Sequence, residues 1–490
     1  MRWLLGLLWW LPIVALAGME DKPAAALVGI WEGTLDVAGS KLRLIFEIKA
    51  AGEKLTATMD SLDQGAKGIP LSPPVWKDGT LTLELPAAKL TYSARLSADG
   101  QELRGTFKQS GLELPLTLKR VQAKTVLKRP QEPKPPFPYR EEEVTFENPQ
   151  APGVTLAGTL TLPAGPGPFP AAILISGSGP QDRNEEIFGH KPFWVIADHL
   201  TRQGVAVLRY DDRGVAKSKG NFATATSKDF ASDAEAAFAF LQARKEIDGK
   251  KIGFIGHSEG GLIAPMIAAR KPDVAFLVLL AGPGLPGADI LRRQVVLVAK
   301  AEGADDDATR LQTQVQDDLL RLAATETDAQ AFRKKATAQM RERLEKLSPA
   351  ELKRLLPPGV KPKSGDGEVT VDELVALAEP QLQGLLAPWM SFYLKHDPRT
   401  ELRRVKCPVL AMNGELDLHV QAAENLAEIE KALKEAGNTD VTIKLWPKLN
   451  HLFQPTQTGK ISEYVNIEQT IHPEVLELMA GWLKQRFKKE

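Results

Sequence analysis

Six residues in the middle of the chain, GHSEGG at 256–261, set Ser258 between two glycines in the pattern GxSxG. A serine hydroxyl is a weak nucleophile at neutral pH. It does chemistry only where a base takes its proton and an acid holds that base in one tautomer. KIGFIG before Ser258 reads as a strand and LIAPMIAAR after it as a helix, and a strand, sharp turn, helix sequence lifts a hydroxyl above the end of a sheet. Glycine suits both flanks, because a Cβ would clash where the strained turn packs between the two elements.

The partners follow from chain order. Of seven histidines, His257 adjoins the serine and would point away from its hydroxyl, while His190, His199, His396, His419 and His472 do not follow a late strand. His451, in PKLNHLF just beyond VTIKLWP, occupies such a loop and is the expected base. Asp417, in NGELDLHV after PVLAMNG, falls between nucleophile and base and is preferred over its neighbour Glu415 as the acid. An oxyanion formed by attack on a carbonyl needs backbone N–H donors. One is expected from Glu259, the residue after the nucleophile, and one from Gly177 or Ser178 in the loop ISGSGPQDRNE. YDDRG at 210–214 is expected to brace this region through ion pairs of Arg213. Such a site needs neither a metal nor an organic cofactor.

The elements that would position these residues show in the patterning. AAILIS (171–176), VAVLRY (205–210), KIGFIG, FLVLLAG (276–282), PVLAMNG and VTIKLWP are continuous apolar runs, as in strands buried on both faces of a parallel sheet. Amphipathic stretches such as SKDFASDAEAAFAFLQARK (227–245) stand between them. The expected fold class is therefore α/β, a doubly wound, mostly parallel sheet. One stretch, 285–400, lacks credible strands and reads as polar helical sequence, expected to form a cap inserted between core segments 142–284 and 401–490. Ahead of the core, residues 24–122 alternate apolar and polar with period two, as in KLRLIFEI and TLTLEL, and read as a small all-β, barrel-like domain with Trp31 in its core. Residues 123–141, with five prolines, read as an extended linker.

Composition narrows the function classes. Lys+Arg and Asp+Glu both number 62, which removes the net attraction that would concentrate nucleic acid or an anionic membrane. The single cysteine, Cys407, cannot form an internal disulfide and reads as packing. Residues 1–17, with one arginine, a short apolar stretch and Ala15-Leu16-Ala17, read as a signal peptide for export to a bacterial periplasm or beyond, too short for a stable membrane span. The expected partner is a small-molecule acyl ester.

SGSGPQDRNE, GHKPFW, LRYDDRG, GHSEGG, LLAGPG, NGELD and NHLF together resemble the α/β-hydrolase superfamily, and within it the bacterial exported serine hydrolases with a serine aminopeptidase (S33) or dienelactone hydrolase-like domain. The resemblance covers about residues 145–284 and 401–490 and implies Ser258, Asp417 and His451 as a catalytic triad. Ser176 replaces the histidine of the HGSG found in many relatives, and Ala216 stands where glycine is common. The family hosts esterases, peptidases and thioesterases. Ester hydrolysis through an acyl-serine is the leading expectation. An aminopeptidase would need an acidic pocket, from Asp305 to Asp307 or Glu259, and a silent binding protein is the rival from another class.

Overall fold

The computed structural model describes residues 22–37, 40–52, 54–109, 111–301, 303, 306–356, 362 and 367–488. The expected signal peptide at 1–17 and Asp305 lie outside them. The chain divides into two units, Met1–Val126 and Leu127–Glu490.

In the first unit, helix α1 (Lys22–Leu27) precedes strands β1 (Gly29–Val37), β2 (Ser40–Ala51), β3 (Lys54–Ser61), β4 (Ala66–Pro70), β5 (Val75–Lys77), β6 (Thr80–Leu85), β7 (Leu90–Leu96), β8 (Glu102–Gln109) and β9 (Leu112–Val121). They form one antiparallel sheet, curled into a half-barrel, in the order β4-β3-β2-β1-β9-β8-β7-β6-β5. Alternation sends Leu81 and Leu83 of β6 and Tyr92 and Ala94 of β7 to the same apolar face. Trp31, Phe46 and Tyr92 fill that face, and the single Tyr92 O–H lies within hydrogen-bond reach of the carbonyls of Leu103 (2.8 Å) and Leu116 (3.1 Å). Side chains thus occupy the inside of the curl. Both edge strands, β4 and β5, are short, which limits edge-to-edge pairing.

The second unit runs β10 (Arg140–Glu147), β11 (Thr155–Leu162), β12 (Phe169–Ile175), α2 (Pro192–Arg202), β13 (Ala206–Tyr210), α3 (Ser227–Gln242), β14 (Ile247–His257), α4 (Glu259–Ala268) and β15 (Leu277–Leu280). Helices α5 (Gly287–Ala301), α6 (Asp306–Thr325), α7 (Ala329–Leu344), α8 (Pro349–Arg354), α9 (Val371–Leu385) and α10 (Pro388–Lys395) follow. The chain then returns through α11 (Arg399–Leu402), β16 (Val409–Gly414), α12 (Ala422–Glu435), β17 (Val441–Trp446), α13 (Ile461–Tyr464) and α14 (Pro473–Phe487). The sheet order is β10-β11-β13-β12-β14-β15-β16-β17, parallel from β13 onward. Along β12, Ala171, Ile173 and Ile175 face one apolar layer and Ala172 and Leu174 the other, because strand side chains alternate.

The six apolar runs are all strands. Two antiparallel strands, β10 and β11, add to them. β10, REEEVTFE, escapes the apolar criterion because it is an edge strand with most of its charges in water. The proline-rich stretch is bound to the larger unit from Leu127 onward rather than hanging free. Arg129 donates to the carbonyls of Phe188 (2.8 Å) and Val465 (2.9 Å), and Gln131 to that of Ile471 (2.7 Å). Helices α6 to α9 share a core of their own around Leu320, Phe332, Ala336 and Leu382.

Candidate active site

Ser258 occupies the turn between β14 and α4 at φ 52°, ψ −115°, a conformation that costs a non-glycine residue about 1–3 kcal/mol. The surroundings enforce it. The Ser258 N–H donates to the Leu280 carbonyl at 2.8 Å. A Cβ on Gly256 would run into the Gly260 carbonyl, and one on Gly260 into the Ile175 carbonyl. The hydroxyl therefore stands at the carboxyl end of the sheet, over the start of α4, whose unpaired N–H groups and dipole favour negative charge.

Asp417 and His451 meet behind it. One Asp417 oxygen accepts the N–H groups of His419 (2.7 Å) and Val420 (2.9 Å), and the other lies 2.7 Å from His451 Nδ1. The turn carrying His451 is tied by Asn450, whose side-chain oxygen accepts the N–H groups of Leu452 (3.0 Å) and Gln454 (2.9 Å). Glu415, the local alternative to Asp417, turns outward to the Lys448 N–H at 3.1 Å. Ser258 and His451 line one cavity of about 340 Å³.

Of the two loop amides expected to face an oxyanion, the structure removes one. The Gly177 N–H is engaged by Glu185 Oε1 at 2.6 Å, which leaves Ser178 as the loop's candidate donor. Glu259 begins α4, so its N–H has no acceptor within the helix. The same Glu185 oxygen lies 2.8 Å from His257 Nδ1, and His257 Nε2 lies 3.1 Å from the His451 carbonyl oxygen. His257 does turn from the hydroxyl, but toward these two loops rather than into inert packing.

The cap contributes the opposite wall. Ile290 and Leu291 of α5 and Trp389 and Tyr393 of α10 line the cavity, with Phe188 from a core loop and Tyr464 of α13. Trp389 Nε1–H donates to Glu259 Oε1 at 2.7 Å, and the Ser227 hydroxyl donates to the same atom at 2.6 Å. Burial raises the Glu259 carboxyl pKa against these hydrogen bonds. Gln294 of α5 lies 3.1 Å from His419 Nδ1, and burial, helped by the nearby His451, pushes His419 down to about 4. Burial also pushes Asp212 up to about 8, against hydrogen bonds from the Gln181 N–H and the Ser176 hydroxyl. Arg213 braces the neighbouring loop as expected, its Nε 2.7 Å from Asp233. Ala216 sits at φ 45°, which explains why glycine is comfortable there. Asp306 and Asp307 are exposed on α6 and do not line the cavity. A separate recess of about 470 Å³ among Glu143, Arg183, Arg209 and Lys217 contains none of the candidate residues.

Residues 193–346 match the serine aminopeptidase S33 family and residues 375–487 the dienelactone hydrolase family. The chain belongs to the α/β-hydrolase superfamily. Both matches fall in the larger unit, the hydrolase unit. Esterase EstD of Thermotoga maritima is 34% identical over 161 residues, 33% of this chain, so the chain spans about a third (36%) of that relative's length. Among solved structures, the α/β hydrolase GrgF from Penicillium sp. sh18 is similar at 18% identity, with a TM-score of 0.41 over 71% of this chain and 99% of its own. The Pyrococcus furiosus esterase Pf2001 is similar at 16% identity, with a TM-score of 0.40 over 71% and 93%.

Glu185, His257, His419 and Trp389 are site residues that sequence reasoning missed. Glu185 and His257 lie inside motifs singled out above, but spacing along the chain does not report that a carboxyl folds back eight residues onto Gly177. His419 is two residues from Asp417, and that proximity was the available signal.

Proposed function

We propose that this chain hydrolyses carboxylic esters through an acyl-serine intermediate. Ser258 Oγ attacks the ester carbonyl as His451 takes its proton. The amides of Ser178 and Glu259 hold the oxyanion, and His451 returns the proton to the leaving alcohol. Water, activated by the same imidazole, then releases the acid. The observation that carries the reading is the 2.7 Å bond from Asp417 to His451 Nδ1. It fixes the tautomer that leaves Nε2 as the base, in a cavity that Ser258 also lines. The likeness to esterase EstD supports an ester as substrate.

The cavity wall favours an apolar acyl group, since Ile290, Leu291, Trp389, Phe188 and Leu452 line it. An aminopeptidase would need a free carboxylate for the substrate's ammonium. Glu259 is taken by Ser227 and Trp389, and Glu185 holds Gly177 and His257 through one oxygen while its other oxygen is enclosed. Turnover of p-nitrophenyl acyl esters beside aminoacyl anilides tests this. Esters are expected to react and anilides not; turnover of anilides alone would reverse the assignment. The apolar segment at 1–17 supports export to the periplasm, and cell fractionation that leaves the chain in the cytoplasm would refute that.

A further inference from the structure

His257 directly precedes Ser258 and is buried, yet the proposed reaction gives it no proton to move. Both of its ring nitrogens face acceptors: Glu185 Oε1 at 2.8 Å from Nδ1 and the His451 carbonyl at 3.1 Å from Nε2. The same Oε1 accepts the Gly177 N–H at 2.6 Å. A neutral imidazole has one N–H and one lone pair. Beside an ionised carboxylate, one of its nitrogens would face an acceptor with nothing to donate. All three bonds coexist only when the pair carries one extra proton, as imidazolium with carboxylate or as imidazole with carboxylic acid. Either form is neutral as a pair, which burial favours, and Glu185 Oε2 is itself enclosed without a partner.

These bonds end on two loops that meet across the nucleophile. Gly177 precedes the oxyanion donor Ser178, and His451 is the base. We propose that Glu185 and His257, sharing a single proton, form a positioning pair that sets the oxyanion loop and the base loop against each other on either side of Ser258. The inference rests on the reading of Ser258 and His451 given above and deepens it. Neither residue touches the reacting atoms; each acts through backbone it holds.

Burial alone would lower the His257 pKa, but the Glu185 carboxylate and the bonds to Glu185 and the His451 carbonyl overcome it and raise it. The other titratable groups facing the pair are the His451 ring, 4.9 Å away between centroids, Asp417, His419, and Asp212 beyond Glu185. Loss of the shared proton at alkaline pH leaves a buried negative charge and breaks one of the three bonds, so the rate falls there.

Glu185→Gln and His257→Gln in the full chain test the pair, with kcat, KM and pH profile measured on a p-nitrophenyl ester and melting temperature alongside. Glu185→Gln keeps an acceptor for Gly177 but cannot hold the imidazolium. Both variants are expected to lose about 10- to 100-fold in kcat with KM little changed. Their alkaline fall should vanish, because the proton is already missing at neutral pH. Unchanged kcat and profile would overturn the proposal. So would a loss that keeps the wild-type profile and follows the melting temperature, the mark of a merely structural role. Ser258→Ala is assayed in parallel; turnover retained there overturns the nucleophile reading itself, a result separate from the other two.

Discussion

Asp417 spends one oxygen on two backbone amides and the other on His451, so the aspartate can neither rotate nor be replaced by a donor. Asp417→Asn keeps the shape but presents an NH₂ to Nδ1. That forces the proton onto Nε2 and removes the lone pair that takes the serine proton in the proposed reaction. We expect kcat to fall roughly 10⁴-fold with KM nearly unchanged in steady-state assays; a loss under about tenfold would deny Asp417 its role. Asp212 carries a second prediction. Its pKa is raised from 3.8 to about 8 in the folded chain, so between these values the folded state holds a proton that the unfolded state has released. Its contribution to stability is present below about pH 4 and is lost as pH rises through about 8. Asp212→Asn should therefore flatten the fall in unfolding free energy over that window, read by denaturant titration at a series of pH values. That Asp417 would meet His451 and that Ser258 would share a cavity with His451 was legible because each stands at a strand end in an order the fold imposes. Glu185 and His419 were not, because their roles arise from where two loops close on one another.

The elements divide the work between a rigid sheet end and a helical wall. α4 and the turn before it are over-determined by glycine packing, whereas α10 reaches the site through the hydrogen bond from Trp389 to Glu259 and through Tyr393, which lines the cavity and stacks on Trp389 within the same helix. Trp389→Phe keeps an aromatic ring, though a smaller one, and removes the donor. Losing one hydrogen bond to a buried group of about 0.5–1.5 kcal/mol predicts KM for apolar acyl esters raised about 2- to 10-fold, with kcat retained. A matched fall in kcat would place Trp389 in the chemistry instead. The run without strands gave the cap away as helical, but its apolar faces serve two purposes. Leu320 and Phe332 pack within the cap, and Ile290 and Trp389 face the cavity; helical periodicity is the same for both. β10 stayed hidden for the opposite reason, since an edge strand with charges in water lacks the apolar run that marks its neighbours.

Among the described residues each unit packs its own apolar side chains, in one cluster in Met1–Val126 and in several in Leu127–Glu490, and every residue of the candidate site belongs to the second unit. Among the described residues no helix is long and apolar enough to cross a membrane. Calorimetry of the full chain should show two unfolding transitions, of which a covalent active-site phosphonate shifts only the one belonging to the hydrolase unit. A shift of both together would mean that the units unfold as one. The nucleophilic role of Ser258 can be measured directly. Treatment with an active-site fluorophosphonate, followed by peptide mass spectrometry, should place one adduct on Ser258 in wild type, none in Ser258→Ala and a greatly slowed one in His451→Ala. Equal labelling of wild type and Ser258→Ala would contradict the account.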